Sequence, residues 1–335
     1  MGKRFAQIFF ILLTVLALFY FDAVLCVRSK HGVNQTRAFY AQPKNTMDVV
    51  FMGTSHIHCD IDPAVLWQNY GIASYDYSAA EQPLWITYYY LQELLKTQSP
   101  QVIVLDLYGP GRFKDDYQYK WLPENLCGMR FSLNKLRVLS VSAERDRLED
   151  FFPSFATYHD RILSMTTEDF LFPFSAHREF RRFKGFTPYL PGDRQDRPDL
   201  DGDETGGLTD KSAAYLEKIV DYTKEKDLSL YLIVSPYAEV YRDEPVYRQI
   251  EGLAAEYGIP FTNFNHLYDE IGLDFEGEDF YDESHLSYWG ACKYTDFLGQ
   301  MLIERYDLPD HRDDPGYESW QDNVGLVEET IREKS

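Results

Sequence analysis

At 335 residues, with 44% hydrophobic and 16% aromatic side chains, the chain can fill the core of one large domain or two small ones, which excludes general disorder. Its formal charge of −21 excludes broad affinity for nucleic acid, whose phosphates need a basic partner surface. The same charge argues against tight docking on anionic lipid or a polyanionic polymer, unless a local basic patch does it.

The N-terminus comes first. Phe5 to Val27 is a 23-residue apolar segment interrupted only by Gln7, Thr14 and Asp22. At about 1.5 Å per residue it covers a hydrocarbon core of roughly 30 Å. Lys3 and Arg4 precede it, so the positive-inside bias keeps the short N-terminus in the cytoplasm, although Arg28 and Lys30 pull the other way. A cleaved signal peptide is the alternative, but the apolar core is long for one and no A-x-A site follows. Leu25 is too large for the residue before a lipidated Cys26. Residues 1–27 are therefore expected to be a single-pass anchor in the cell membrane, with the main domain extracytoplasmic. Residues 28–47 are polar, show no periodicity and read as a stalk.

From there apolar strands alternate with helical patterns. Asp48–Met52 is a short strand, Pro63–Tyr70 a helix, Ile72–Ser78 a strand, Leu84–Lys96 a helix and Val102–Leu107 a strand. The alternation stops at about residues 109–209, an aromatic-rich, irregular insertion with helices expected near Leu133–Leu139 and Ala143–Phe152. It ends in the loop-like PGDRQDRPDLDGDETGG. The pattern then returns as helix Lys211–Lys226, strand Leu228–Val234, helix Glu244–Tyr257, strand Phe261–Phe264 and a last helix over about Ser287–Tyr306. This periodicity predicts an α/β domain over residues 48–306, with a parallel sheet covered on both faces. Residues 307–335 read as an acidic, peripheral tail that has room for a short terminal helix. The four cysteines (26, 59, 127 and 292) are too few for a disulfide scaffold and fit no zinc module, so buried free thiols are expected.

Two chemistries compete for GTSHIHCD, residues 53–60, directly after the first strand. His56, His58 and Asp60 spell the H-x-H-x-D of a hydrolytic metal site. The metallo-β-lactamase pattern lacks its next His here, because Ile61 stands in that place, and no second multi-ligand cluster appears. On a strand His56 and His58 would point the same way; on a helical turn they would diverge. Gly53–Thr54–Ser55 could instead present a serine nucleophile, which needs a base from a distant strand end. The segment DFYDESHL supplies Asp282 and His285, spaced so that on a tight turn the carboxylate reaches one ring nitrogen and leaves the other for a hydroxyl. Each has a duller explanation: Ser55 as a helix cap, His285 as a structural histidine.

Gly53–Thr54–Ser55 opening the domain and Asp282-x-x-His285 closing it resemble the SGNH (GDSL) hydrolase superfamily. The similarity is closest to its membrane-anchored branch, which includes the D-alanyl-lipoteichoic-acid transfer protein. It covers about residues 48–108 and 210–306, and the run HLSYWGACKYTDFL is similar to the family's closing helix. The resemblance implies a flavodoxin-like three-layer sandwich with Ser55 as nucleophile, His285 as base and Asp282 as its orienter. It implies no cofactor or metal, acylated cell-envelope glycans or polymers as substrates, and a membrane-bound O-acyltransferase as partner. The family's middle blocks supply a Gly and an Asn for the oxyanion hole, but this chain has Asp106–Leu107–Tyr108–Gly109 after its third strand. The remaining oxyanion or substrate-binding candidates are the Ser55 amide, an amide near Ala79 or Ala80, the Gln82 side chain and Asp106, with His56 and His58 as pocket lining.

The basic cluster HREFRRFKGF, residues 177–186, stands out in this acidic chain. Arg178, Arg181, Arg182 and Lys184, between Phe180, Phe183 and Phe186, could cradle an anionic or glycan substrate, lie against headgroups, or form a solvated helix face over buried Phe. The functional expectation is an extracytoplasmic serine esterase or O-acyltransferase. Its competitors are a non-catalytic accessory that binds or hands over an envelope polymer, and a metallohydrolase.

Overall fold

The Val- and Leu-rich runs pair into one sheet. Val49–Met52 (β1), Ser74–Asp76 (β2), Val102–Asp106 (β3), Ser229–Val234 (β4) and Phe261–Asn263 (β5) lie in the order β2-β1-β3-β4-β5, every pair parallel. β1, β2 and β3 are buried throughout, as a sheet covered on both faces requires. The layout is consistent with a flavodoxin-like domain, in which the strand order reverses between β1 and β3 and leaves a crevice at the strands' carboxyl ends. This computed structural model describes residues 2–27, 29–110, 120–175, 181–200, 206–239 and 243–334.

The helices run, in chain order, Gly2–Leu25 (α1), Val33–Phe39 (α2), Ser55–Asp60 (α3), Pro63–Tyr70 (α4), Leu84–Leu94 (α5), Leu122–Leu126 (α6), Leu133–Ser142 (α7), Ser154–Thr157 (α8) and Thr167–Ser175 (α9). They continue with Asp210–Glu225 (α10), Glu244–Tyr257 (α11), Tyr268–Ile271 (α12), Tyr288–Arg305 (α13) and Glu318–Lys334 (α14). α4, α13 and α14 pack together, as do α5, α7 and α10. α1 is long and apolar enough to cross a membrane, with mean hydropathy 2.5. Its last turn, at Val24 and Leu25, is buried against the domain.

Three expectations need correction. Residues 28–47 are no stalk: α2 is buried along nearly its whole length. Its polar residues find partners far off in sequence. Gln35 Nε2 donates to Thr187 Oγ1 at 2.9 Å, Thr36 Oγ1 donates to the Tyr90 hydroxyl at 3.0 Å, and Phe39 joins the main core. Residues 307–335 are no loose tail: Trp320, Val324, Val327 and Ile331 line one face of α14 and are buried, while its acids face outward. In the insertion, α7 forms near the expected place, but within 143–152 only Leu148–Asp150 is helical, as a single 3₁₀ turn.

The basic cluster divides. Phe183, Phe186 and Lys184 are buried; the ammonium sits 3.6 Å above the Trp320 ring and donates to Gln42 Oε1 and Ser319 Oγ. That burial pushes the Lys184 ammonium down to about 7. Arg181 and Arg182 are exposed, and His177, Arg178 and Phe180 lie outside the described residues.

Candidate active site

β1 ends at Met52, and the chain turns at Gly53 with φ +146°. A Cβ there would sit 2.9 Å from the Asp106 carbonyl, so both the dihedral and the space demand glycine. Thr54 caps α3 and Ser55 opens it, at the carboxyl end of the central strand. As the first helical residue, Ser55 has no preceding turn to take its amide hydrogen.

The closing turn is fixed from several sides. Asp282 Oδ1 accepts from the Ser284 and His285 amides at 2.9 and 2.8 Å, and Phe280 bridges Leu286 in antiparallel fashion. The Ala238 amide, after β4, donates to the Glu283 carbonyl at 2.9 Å. Asp60, at the end of α3, accepts the Leu286 amide at 2.9 Å and so ties the turn to the serine's own helix.

These ties bring together residues 230 positions apart: His285 Nε2 lies 2.8 Å from Ser55 Oγ. His285 Nδ1 lies 2.9 Å from Asp282 Oδ1. Burial raises the Asp282 carboxyl, but the hydrogen bond and charge of His285 and the two amides outweigh it and leave the group below its ordinary range. An ionised carboxylate, an oriented imidazole and a hydroxyl thus stand in series, which permits proton transfer from the hydroxyl during attack on an acyl carbon.

The H-x-H-x-D residues fall on a helix, so the two histidines diverge. His56 and Asp60 share one face, with His56 Nδ1 3.8 Å from Asp60 Oδ2 and both side chains fully buried. The His56 ring stacks on Tyr108 at 3.8 Å, meets Tyr237 edge-on and backs the His285 ring at 5.5 Å. His58 turns away: its Nδ1 is 2.9 Å from Ser78 Oγ and its Nε2 3.4 Å from His31 Nδ1. Burial and the neighbouring imidazoles push His58 well below its ordinary value, so it is neutral. His31, His58 and Cys59 place potential ligand atoms within 4.8 Å of one another. Both imidazoles nevertheless have partners in a chain that runs Tyr189–His31–His58–Ser78.

Two oxyanion candidates are corrected. The Ala80 amide donates to the His31 carbonyl and the Ala79 amide to the Gly53 carbonyl, so neither is left for a substrate oxygen. Asp106 is a structural group: its buried carboxylate accepts from the Tyr108 and Ser235 amides, both at 2.8 Å, and fastens the ends of β3 and β4. Gln82 is buried, with Oε1 accepting from Thr87 at 3.0 Å and Nε2 without an acceptor among the described residues.

His31 and Tyr189 are neighbours of the site that sequence reasoning missed. The Tyr189 ring packs on Tyr281 at 4.1 Å and meets His285 at 6.0 Å, and the Thr187 amide binds the His58 carbonyl. They belong to segments read as stalk and insertion, where no pattern marks a wall of the site. Comparison with protein-family models, curated proteins and solved structures finds no significant match to the chain.

Proposed function

We propose that the protein is a membrane-tethered, extracytoplasmic serine esterase or O-acyltransferase of SGNH type, acting on acyl esters of cell-envelope glycans or polymers. The observation that carries this reading is the continuous series Ser55 Oγ, His285, Asp282, with contacts of 2.8 and 2.9 Å. Its place outside the carboxyl end of β1, beside the point where strand order reverses, is where such sheets keep their sites.

In this mechanism Ser55 Oγ attacks the ester carbonyl carbon while His285 Nε2 takes the hydroxyl proton. The Ser55 amide faces the oxygen that gains charge. Collapse breaks the ester C–O bond, and His285 returns its proton to the leaving alcohol. Water, or a sugar or polyol hydroxyl, then attacks the acyl-serine with His285 again as base, which restores Ser55. Asp282 holds the imidazole's orientation and stabilises its cation. The acidic chain disfavours a polyanionic substrate and favours a neutral glycan ester.

One observation favours a second reading, a non-catalytic accessory of a membrane-bound O-acyltransferase. With the Ala79 and Ala80 amides engaged, the oxyanion position has few donors, and losing one costs on the order of 3 kcal/mol of transition-state stabilisation. Fluorophosphonate labelling separates the two. The esterase reading expects stoichiometric adduct on Ser55 and none on Ser55→Ala; an unlabelled wild-type chain, or equal labelling of the variant, removes it.

A further inference from the structure

Two adjoining cavities lie where α1 meets the insertion, and none of the residues lining them belongs to the Ser55–His285–Asp282 series. One, of about 300 Å³, is lined by Phe19 and Asp22 in the last turns of α1, by Cys26 just beyond them, and by Arg37, Arg130 and Lys135. The other, of about 270 Å³, is lined by Val15, Leu18, Phe131, Phe152 and Phe155, and the two share Phe19, Asp22 and Phe131. The first is cationic and the second apolar.

The cations are unusual in a chain of charge −21. The Arg37 guanidinium lies 4.4 Å above the Phe172 ring and Arg130 4.3 Å above Tyr40. Lys135 is buried, and its ammonium donates to the Met129 carbonyl at 3.2 Å. The one acid among the described lining residues, Asp22, accepts from the Ser154 amide. Three positive groups therefore face the cavity against a single carboxylate.

Their depth matters. α1 runs into the domain at Leu25, so the cationic cavity, around Asp22 and Cys26, sits at the helix end that would emerge from a bilayer. The apolar cavity reaches back to Val15, seven residues or roughly 10 Å further along the helix and so deeper in the hydrocarbon. The insertion beside them exposes large apolar side chains, with Leu163 95% and Phe174 70% accessible. α8 and α9 both pack on α1. Such a surface belongs at a membrane interface rather than in water.

We infer that these cavities form one site for an anionic glycerophospholipid of the outer leaflet, the headgroup phosphate among Arg37, Arg130 and Lys135 and an acyl chain against Val15, Leu18 and Phe131. The polar-above-apolar order along α1 matches the way a lipid stands in its leaflet. The inference rests on α1 spanning a bilayer and not on the serine chemistry.

Native mass spectrometry of the full chain, released from detergent micelles doped equally with phosphatidylglycerol and phosphatidylcholine, tests it. Wild-type protein should retain one phosphatidylglycerol, favoured over phosphatidylcholine at least about tenfold, since each basic group near an anionic lipid contributes about 1 kcal/mol. A triple variant R37Q/R130Q/K135M should lose that preference, Ser55→Ala should keep it, and 10 mM inorganic phosphate should leave the lipid in place. Because the triple variant loses a buried side chain, its fold is checked by thermal melting. Leu18→Trp, which fills the apolar cavity with all charges intact, should lower retention about tenfold. Unchanged retention in Leu18→Trp, an unchanged preference in a folded triple variant, or displacement by inorganic phosphate overturns the inference.

Discussion

The protein holds two His–Asp pairs beside the same serine, and they have opposite characters. In α3, His56 and Asp60 are fully buried, 3.8 Å apart and walled by Tyr108 and Tyr237. Burial pushes the Asp60 carboxyl well above its ordinary range, and the nearby Asp106 and Asp282 carboxylates add to this against the Leu286 amide. In the closing turn, His285 and Asp282 meet at 2.9 Å with Asp282 part-exposed and its carboxyl held below the ordinary range. The same two residue types thus give a buried pair with a raised carboxyl in one place and a part-exposed pair with a lowered one in the other. Solvent access and amide donors decide which, not the motif.

Asp282→Asn breaks this contrast most severely. It leaves the turn's shape but presents no anion to the imidazole, so ester hydrolysis should fall about 10⁴-fold with the fold intact. A loss below tenfold in steady-state assays would show that the ionised pair is not part of a relay. Next comes Asp60→Ala, which removes the acceptor for the Leu286 amide. It should cost about 1–3 kcal/mol in urea unfolding, because a buried donor is left without a partner.

Asp60→Asn sharpens the comparison and has the smallest effect, since it keeps an acceptor for the Leu286 amide and replaces a carboxyl whose burial disfavours its charged form. Hydrolysis should stay within about threefold of wild type. Its signature is in the pH dependence of stability. With a folded value above the unfolded value of about 4, the native Asp60 binds the extra proton, so it costs stability as pH climbs from about 4 through the folded value. Asn lacks that slope. Relative to wild type, Asp60→Asn should therefore gain stability as pH rises from 5 to 8 in urea titrations. Parallel curves would mean that Asp60 is ionised in the native state.

Much of the sheet was legible because periodicity and punctuation agree there. Pro63–Tyr70 and Glu244–Tyr257 have the bounds that their Pro starts and Gly stops dictate. β2 covers only Ser74–Asp76 of its apolar run, and Ser78, beyond it, turns its hydroxyl to His58. The meeting of Ser55 with Asp282 and His285 could be read from spacing and fold logic alone. The burial of α2 could not, since Gln35 and Thr36 look solvated until Thr187 and Tyr90 arrive to bond them. α14 is longer and better buried than expected for another reason: its many charges mask the stripe of Trp320, Val324, Val327 and Ile331. The exposed Leu163 and Phe174 follow no rule for a soluble domain, because their solvent is not water under the reading given above.

Trp320 also sets an order for biosynthesis. Its indole N–H reaches the Ser74 carbonyl at 3.0 Å, in the strand that ends one side of the sheet. During synthesis that strand, complete within the first quarter of the chain, waits for a ring made near the end. The middle of the chain covers part of that rim sooner, since the Lys184 carbonyl accepts the Asp76 amide at 2.9 Å; until both pieces arrive the rim can recruit a strand from another nascent chain.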